Sequence, residues 1–291
     1  MFHVSCFSLK AIIAVAGIGT RFLPVTKTLP KEMLPIVDKP VVHYLVEEAV
    51  ASGIRDIIFI TSIGKHALED YFDRNFELEY RLREKGKNDL LEMMGDIQNM
   101  ANFYYVRQKE PKGNAHAIMQ AQNLIGDEAC MAMFGDDIVV SDKPCAKQLI
   151  DIYNQYGCPV LALDRVPINK VSLYGIVDGV RVGDKNKRLF ELKKIVEKPN
   201  PKDAPSNLSI IGRYIITPDI FREIKKTKPG KNGEVGLTET FAGFIKNNLA
   251  YGYEFEGTRY DCGSKIGFLK ANVAFGLKHP EIGKELANYI K

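Results

Sequence analysis

Strand-length apolar runs separated by longer amphipathic stretches set the strongest limit on what this chain can fold into. The runs fall at 10–15, 54–61, 103–106, 130–134 and 160–163, each bounded by glycine or polar residues. Between them, helix-period patterns occupy 41–52, 65–79, 114–124 and 147–156. Such alternation predicts βα units on a mostly parallel sheet, an α/β chain. In "PVVHYLVEEAVASG", Pro40 opens the pattern and Gly53 follows it, the asymmetry that marks helix ends. Beyond Val166 the texture changes to "YGIVDGVRV", "RLFELKKIVEK", "LSIIGRYII" and "YGYEFEG". These predict a small antiparallel addition beside a mixed, Rossmann-like sheet flanked by helices. Residues 73–100 are charged and helix-prone, and predict a helical excursion on the surface or at an oligomer contact.

Composition removes several function classes. The chain has 291 residues, 45% hydrophobic and 26% charged, and its 40 basic and 36 acidic residues leave a net charge of +4. That balance excludes a disordered chain and a strongly basic nucleic-acid coat, so any anion site is local. No apolar run approaches the roughly 20 residues of a membrane span, and no membrane partner is expected. The opening "MFHVSCFSLK" lacks the basic start and cleavage pattern of a signal peptide, and residues 1–9 read as an N-terminal extension. Five scattered cysteines without a CxxC pair fit a reducing, cytoplasmic setting rather than a disulfide frame or zinc.

The chemistry concentrates after the first run. "VAGIGTRFLPVTKTLPKEMLPIVDKP" at 15–40 places Gly17 and Gly19 in a turn, then prolines at 24, 30, 35 and 40, and presents Arg21, Lys27 and Lys31. Glycines allow backbone N–H groups to approach a phosphate closely, and a proline-stiffened loop carrying several cations suits a polyphosphate. It is not the dinucleotide fingerprint, because Phe22 stands where the third glycine belongs. Nor is it a P-loop, which needs Gly-Lys-Ser/Thr. Asp136 and Asp137 in "FGDD" follow an apolar strand, where α/β sheets hold ligands, although Gly-Asp pairs also serve as turns.

These stretches together resemble the sugar-nucleotide pyrophosphorylases. "KEMLPIVDKP" (31–40), "VRQKEPKGNAHA" (106–117), "FGDD" (134–137), "SLYGIV" (172–177), "IVEKPNPKDAPSN" (195–207), "IIGRYI" (210–215), "KPGKNGE" (228–234) and "RYDCGS" (259–264) occur in that family's order over about 10–275. The wording of 31–40 and the excursion at 73–100 are similar to the uridylyl branch. The resemblance implies one nucleotidyltransferase domain over 10–291. Its nucleotide part would be about 10–165, its sugar-phosphate part about 166–264, and its C-terminal helices 265–291.

The resemblance also implies a reaction, in which glucose 1-phosphate attacks the α-phosphorus of UTP to give UDP-glucose and pyrophosphate. Arg21, Lys31 and Lys198 would be the catalytic cations. Ala16, Gly17, Gly19, Thr20, Gln108 and Gly113 would bind the nucleotide, with Gln108 and Gly113 facing the base. Gly175, Glu197 and Gly212 would bind the sugar, and Asp136 and Asp261 would hold Mg²⁺, with Asp137 an outer residue. His116 reads as structural. A homodimer or homotetramer is implied, without nucleic-acid partners. The other readings are a thymidylyltransferase using dTTP, a non-catalytic nucleotide-sensing relative, and a Rossmann oxidoreductase that the missing glycine disfavours. Two positions depart from the family pattern: Gly236 stands where a glutamine-like residue is expected, and Asn114 where leucine is common.

Overall fold

A computed structural model describes residues 9–183, 187–230 and 233–291. The expected extension at 1–9 therefore lies, apart from Leu9, outside the described residues, as do two positions of "KPGKNGE".

The first half follows the alternating pattern. Strand β1 (Lys10–Ala14) leads through the glycine loop to the short hairpin β2 (Pro35–Ile36) and β3 (Lys39–Pro40), and then to helix α1 (Val41–Ala51). Next come β4 (Asp56–Thr61), α2 (His66–Phe72), α3 (Phe76–Glu84), α4 (Asn88–Asn99) and β5 (Asn102–Arg107). They are followed by α5 (Asn114–Met119), α6 (Gln122–Ile125), β6 (Cys130–Phe134), β7 (Asp137–Val140), α7 (Cys145–Tyr156) and β8 (Val160–Arg165). The helix expected over 65–79 is two helices. Asp73 is extended and the Asn75 side chain accepts the Leu78 N–H, so a new helix is capped where one long pattern was read. The stretch 114–124 likewise divides into α5 and α6.

The second half contributes β9 (Gly175–Arg181), β10 (Leu189–Glu197), β11 (Leu208–Ile216), α8 (Pro218–Ile224), α9 (Leu237–Phe244), β12 (Tyr251–Glu254), β13 (Thr258–Asp261), α10 (Lys265–Gly276) and α11 (Gly283–Tyr289). Among the described residues, nine strands form one mixed sheet in the order β5-β4-β1-β6-β11-β8-β12-β10-β9. Strands β5, β4, β1 and β6 run parallel, and β11 enters antiparallel to both β6 and β8. "YGYEFEG" does not join the antiparallel addition alone, because β12 is parallel to β8 on one side and antiparallel to β10 on the other. Strands β7 and β13 form a separate ladder that places Asp261 opposite Asp137.

Two apolar layers cover the sheet. Val42, Leu45, Val46 and Ala49 of α1 pack on one face with Ile57, Phe59 and Leu149. Ile118, Ile220, Phe221 and Phe241 cover the other face over Ile12, Ile58 and Leu161. Burying each such side chain contributes about 1.5–3 kcal/mol. One charged pair crosses the first layer: Arg213, wholly buried, donates through Nε and Nη2 to Glu48 at 2.7–3.2 Å. Its Nη2 also reaches the Asp137 carbonyl at 2.8 Å, so this buried fork fastens α1 and β11 to the start of β7. Among the described residues no helix is long and apolar enough to cross a membrane.

Candidate active site

Parallel strands β1, β4 and β6 deliver their carboxyl ends to one side of the sheet, and a cavity of about 460 Å³ opens there. Ala16, Gly17, Gly19, Thr20, Lys31, Gln108, Gly113 and Asp136 all line it, from segments far apart in the chain. Gly19 supplies the left-handed turn (φ 73°) that lets the loop fold back, and its carbonyl is held by Thr26 Oγ1 at 2.8 Å. Among the described residues the backbone N–H groups of Gly17, Ile18, Gly19 and Thr20 find no protein acceptor. They are donors available to an anion.

Opposite the loop, a short turn (Lys31–Met33) sends Lys31 forward, its Nζ 2.5 Å from Asp136 Oδ2. Burial raises the Asp136 carboxyl, but Lys31, Arg259 and Arg21 outweigh it and hold the group below its ordinary range. Burial opposes the Lys31 ammonium too, and Asp136 restores it to above its usual value. A Cβ placed on Gly263 would lie 2.8 Å from Asp136 Oδ2 and 3.1 Å from Asp261 Oδ1, so glycine here keeps clear of both carboxylates. Asp261 is pushed up by burial and by Asp137, so it favours a cation beside it. Arg21 does not line the cavity; its Nη1 reaches the Gly263 carbonyl at 3.4 Å, beside the same acids.

Gln108 and Gly113, the residues expected to face the base, are fixed by one another. Gln108 is buried, and its Nε2 donates to the Gly113 carbonyl at 3.2 Å and to His116 Nδ1 at 2.9 Å. His116 is thus a support for Gln108, the structural role read from the sequence. Gly113 adopts φ 99°, and a Cβ there would meet the Val235 carbonyl oxygen at 2.5 Å. Val235 clasps this turn by donating to Lys112 O at 2.8 Å and accepting from Ala115 N at 3.1 Å. The two departures from the family pattern are neighbours: Asn114 Oδ1 accepts the Leu237 N–H at 2.8 Å, directly after Gly236.

The remaining predicted residues form a second group. Gly175 and Glu197 are cross-strand partners on β9 and β10, and a Cβ on Gly175 would lie 3.3 Å from Glu197 Oε2. Lys198 Nζ is 3.0 Å from Glu197 Oε1, and its backbone sits at φ 44°, a strained setting for a side-chain residue. The Gly212 N–H donates to Asp137 Oδ2 at 3.1 Å, while Arg259 Nε donates to Asp137 Oδ1 at 2.7 Å. Asp137 therefore organises the site from behind. Arg259, which sequence reasoning passed over, stacks its guanidinium 5.0 Å from the Tyr174 ring centre and so joins Asp137 to the segment that accepts the Lys198 N–H. Its only signal was a place two residues before Asp261 in "RYDCGS".

The donor set fits a hard divalent cation. Asp136 and Asp261 both lie close to Gly263, and among the described residues no group of three or more His, Cys, Asp or Glu could hold a metal alone. Magnesium is commonly held by one or two carboxylates, with phosphate oxygens and waters completing its shell.

The nucleotidyl transferase family model matches residues 10–276. A UTP–glucose-1-phosphate uridylyltransferase of Staphylococcus haemolyticus is 48% identical over 282 residues, covering 97% of each chain. A UTP-bound UGPase from Acinetobacter baumannii has a TM-score of 0.90 at 37% identity, covering 98% of this chain and 99% of that one. A UDP-glucose pyrophosphorylase complexed with UDP-glucose gives 0.85 at 42% identity, over 94% and 100%.

Proposed function

Because this chain belongs to the nucleotidyl transferase family, we propose that it transfers the uridylyl group of UTP to glucose 1-phosphate, releasing UDP-glucose and pyrophosphate. The observation that carries this reading is a cavity where the glycine loop, Lys31, Asp136, Gln108 and Gly113 meet. Near-full-length relatives bearing that activity support it.

The glycine-loop N–H groups and Lys31 hold the triphosphate, and Gln108 with the Gly113 turn meets the uracil edge through amide donors and acceptors. Arg21 binds near the departing phosphates, close to Gly263. Glu197 accepts from sugar hydroxyls, Lys198 meets the sugar phosphate, and Gly175 and Gly212 let backbone groups come close to the ring. Asp136 and Asp261 would hold Mg²⁺, which would neutralise phosphate charge.

A phosphate oxygen of glucose 1-phosphate forms the new bond to the α-phosphorus while the bond to the bridging oxygen breaks, and pyrophosphate leaves with that electron pair. The nucleophile is already ionised at neutral pH, so no side chain need remove a proton. The chain's task is orientation and charge compensation. Two unit charges about 4 Å apart repel by about 4 kcal/mol at an effective dielectric of 20, and Lys31, Lys198 and Arg21 offset that repulsion.

Within this reading, about 10–165 binds nucleotide, 166–264 binds sugar phosphate, and 265–291 packs as C-terminal helices of one domain. The protein acts in the cytoplasm as a homo-oligomer, to which exposed Ile266, Leu269 and Val273 on α10 contribute. Initial rates of pyrophosphate release with glucose 1-phosphate and Mg²⁺, compared for UTP and dTTP, test the reading. A strong preference for UTP is expected; a preference for dTTP would move the chain to the thymidylyl reaction, and no release with either would contradict it.

A further inference from the structure

A buried lysine outside the predicted set lies behind the glycine loop. Lys65, just before α2, is 6% exposed and donates from Nζ to three oxygens: the Val15 carbonyl, the Gly17 carbonyl at 2.9 Å and Glu32 Oε1 at 2.5 Å. A lysine ammonium has three donors, and all three are used. Two of the acceptors belong to the loop that lines the nucleotide cavity, and Glu32 belongs to the turn that sends Lys31 to Asp136.

We propose that Lys65 is a positioning residue for the nucleotide, acting through the glycine loop rather than by touching substrate. The inference rests on the uridylyl-transfer reading. Oxygens drawn back onto an ammonium are turned away from the phosphates, where they would repel them. The N–H groups of Gly17, Ile18, Gly19 and Thr20, without protein acceptors among the described residues, then lie on a loop whose carbonyl side is already engaged.

Glu32 sets the other half of the device. Residues 31 and 32 are adjacent but reach opposite ways, Lys31 to the metal-facing acid and Glu32 to Lys65. One short turn thereby ties the phosphate loop to the Asp136 side of the cavity. The pair is not retained for stability alone: Glu32 Oε2 has no hydrogen-bond partner among the described residues, and burial pushes the Glu32 carboxyl up and the Lys65 amine down. An ion pair so desolvated contributes little net stability compared with apolar residues of similar shape. Its placement, linking two walls of one cavity, accounts for it better.

The test uses the full chain in three forms: wild type, Lys65→Met, and Glu32→Gln/Lys65→Met. The double variant removes both charges, so it keeps a folded comparison if the single variant leaves Glu32 too poorly compensated to fold. Steady-state kinetics would vary UTP and glucose 1-phosphate separately, and calorimetry would measure UTP binding without the sugar. The expected result is a KM for UTP raised about 10-fold or more and weaker UTP binding, with the KM for glucose 1-phosphate within about twofold. The double variant should show the same UTP defect even where its melting temperature equals the wild type's. A folded variant with unchanged UTP binding, or one whose two KM values rise equally, would overturn the proposal. Wild-type protein that neither binds nor turns over UTP would instead overturn the functional reading, and the inference with it.

Discussion

Lys31 Nζ and Asp136 Oδ2 lie 2.5 Å apart, so the cation read as a phosphate ligand and the acid read as a metal ligand are each other's partner. On the proposed reading, a bound phosphate would take Lys31 and a metal would take Asp136 in place of that contact. Neither charge would then be left uncompensated.

Asp136→Asn should therefore reduce kcat by about 10²–10³, the usual effect of removing one electrostatic stabiliser. The Lys31–Asp136 pair is mostly buried, its side chains 22% and 30% exposed, so losing the charge should also cost about 1–3 kcal/mol of stability. Turnover at saturating Mg²⁺ and a thermal melt separate the two effects. Undiminished turnover would remove Asp136 from the site.

Lys198 offers a pair of substitutions that differ in stability. Its φ of 44° suits glycine, so Lys198→Gly should be about 1 kcal/mol more stable than Lys198→Ala. Both should raise the KM for glucose 1-phosphate while leaving that for UTP near wild type. Equal impairment of both substrates would place Lys198 elsewhere in the mechanism.

Gly113 and Gly157 both have positive φ, yet only Gly113 is crowded. A Cβ on Gly113 would approach Val235 O to 2.5 Å, whereas nothing lies within 4 Å of one on Gly157. Gly157→Ala should cost about 1 kcal/mol, the left-handed penalty alone. Gly113→Ala should cost more and weaken UTP binding, read by melting and by the KM for UTP.

Much of this was legible in the sequence because period and punctuation are local. The Pro40 and Gly53 boundaries bracket α1, and strand 130–134 was placed to the residue. The division at 73–75 was not legible, since helical charge patterning continues through a cap that only the Asn75 side chain reveals. Among site residues, the acids and cations stood in recognisable motifs. Lys65 stood in none: its meaning comes from carbonyl oxygens 48 and 50 positions away, which sequence spacing does not report. Arg259 was hidden for the same reason, because its partner Asp137 lies on another strand.

A pH prediction follows from Glu47, which accepts from Lys39 Nζ at 2.8 Å and pairs with His43 Nε2 at 3.0 Å. Burial pushes its carboxyl up, but these partners outweigh burial and hold it below its ordinary 4.5. A carboxylate depressed on folding adds stability that is fully present above about 4.5 and lost as pH falls through the folded value. Being partly exposed, the group contributes under about 1 kcal/mol. The melting-temperature difference between wild type and Glu47→Gln should be present at pH 7 and shrink below pH 4.5; a constant difference would refute the pairing.

Product identification tests the central claim most directly. UTP labelled at the α-phosphorus, incubated with glucose 1-phosphate, Mg²⁺ and the wild-type chain, should yield label in UDP-glucose and unlabelled pyrophosphate in equal molar amount. Label remaining in UTP, or appearing in UMP without UDP-glucose, would contradict uridylyl transfer to the sugar phosphate.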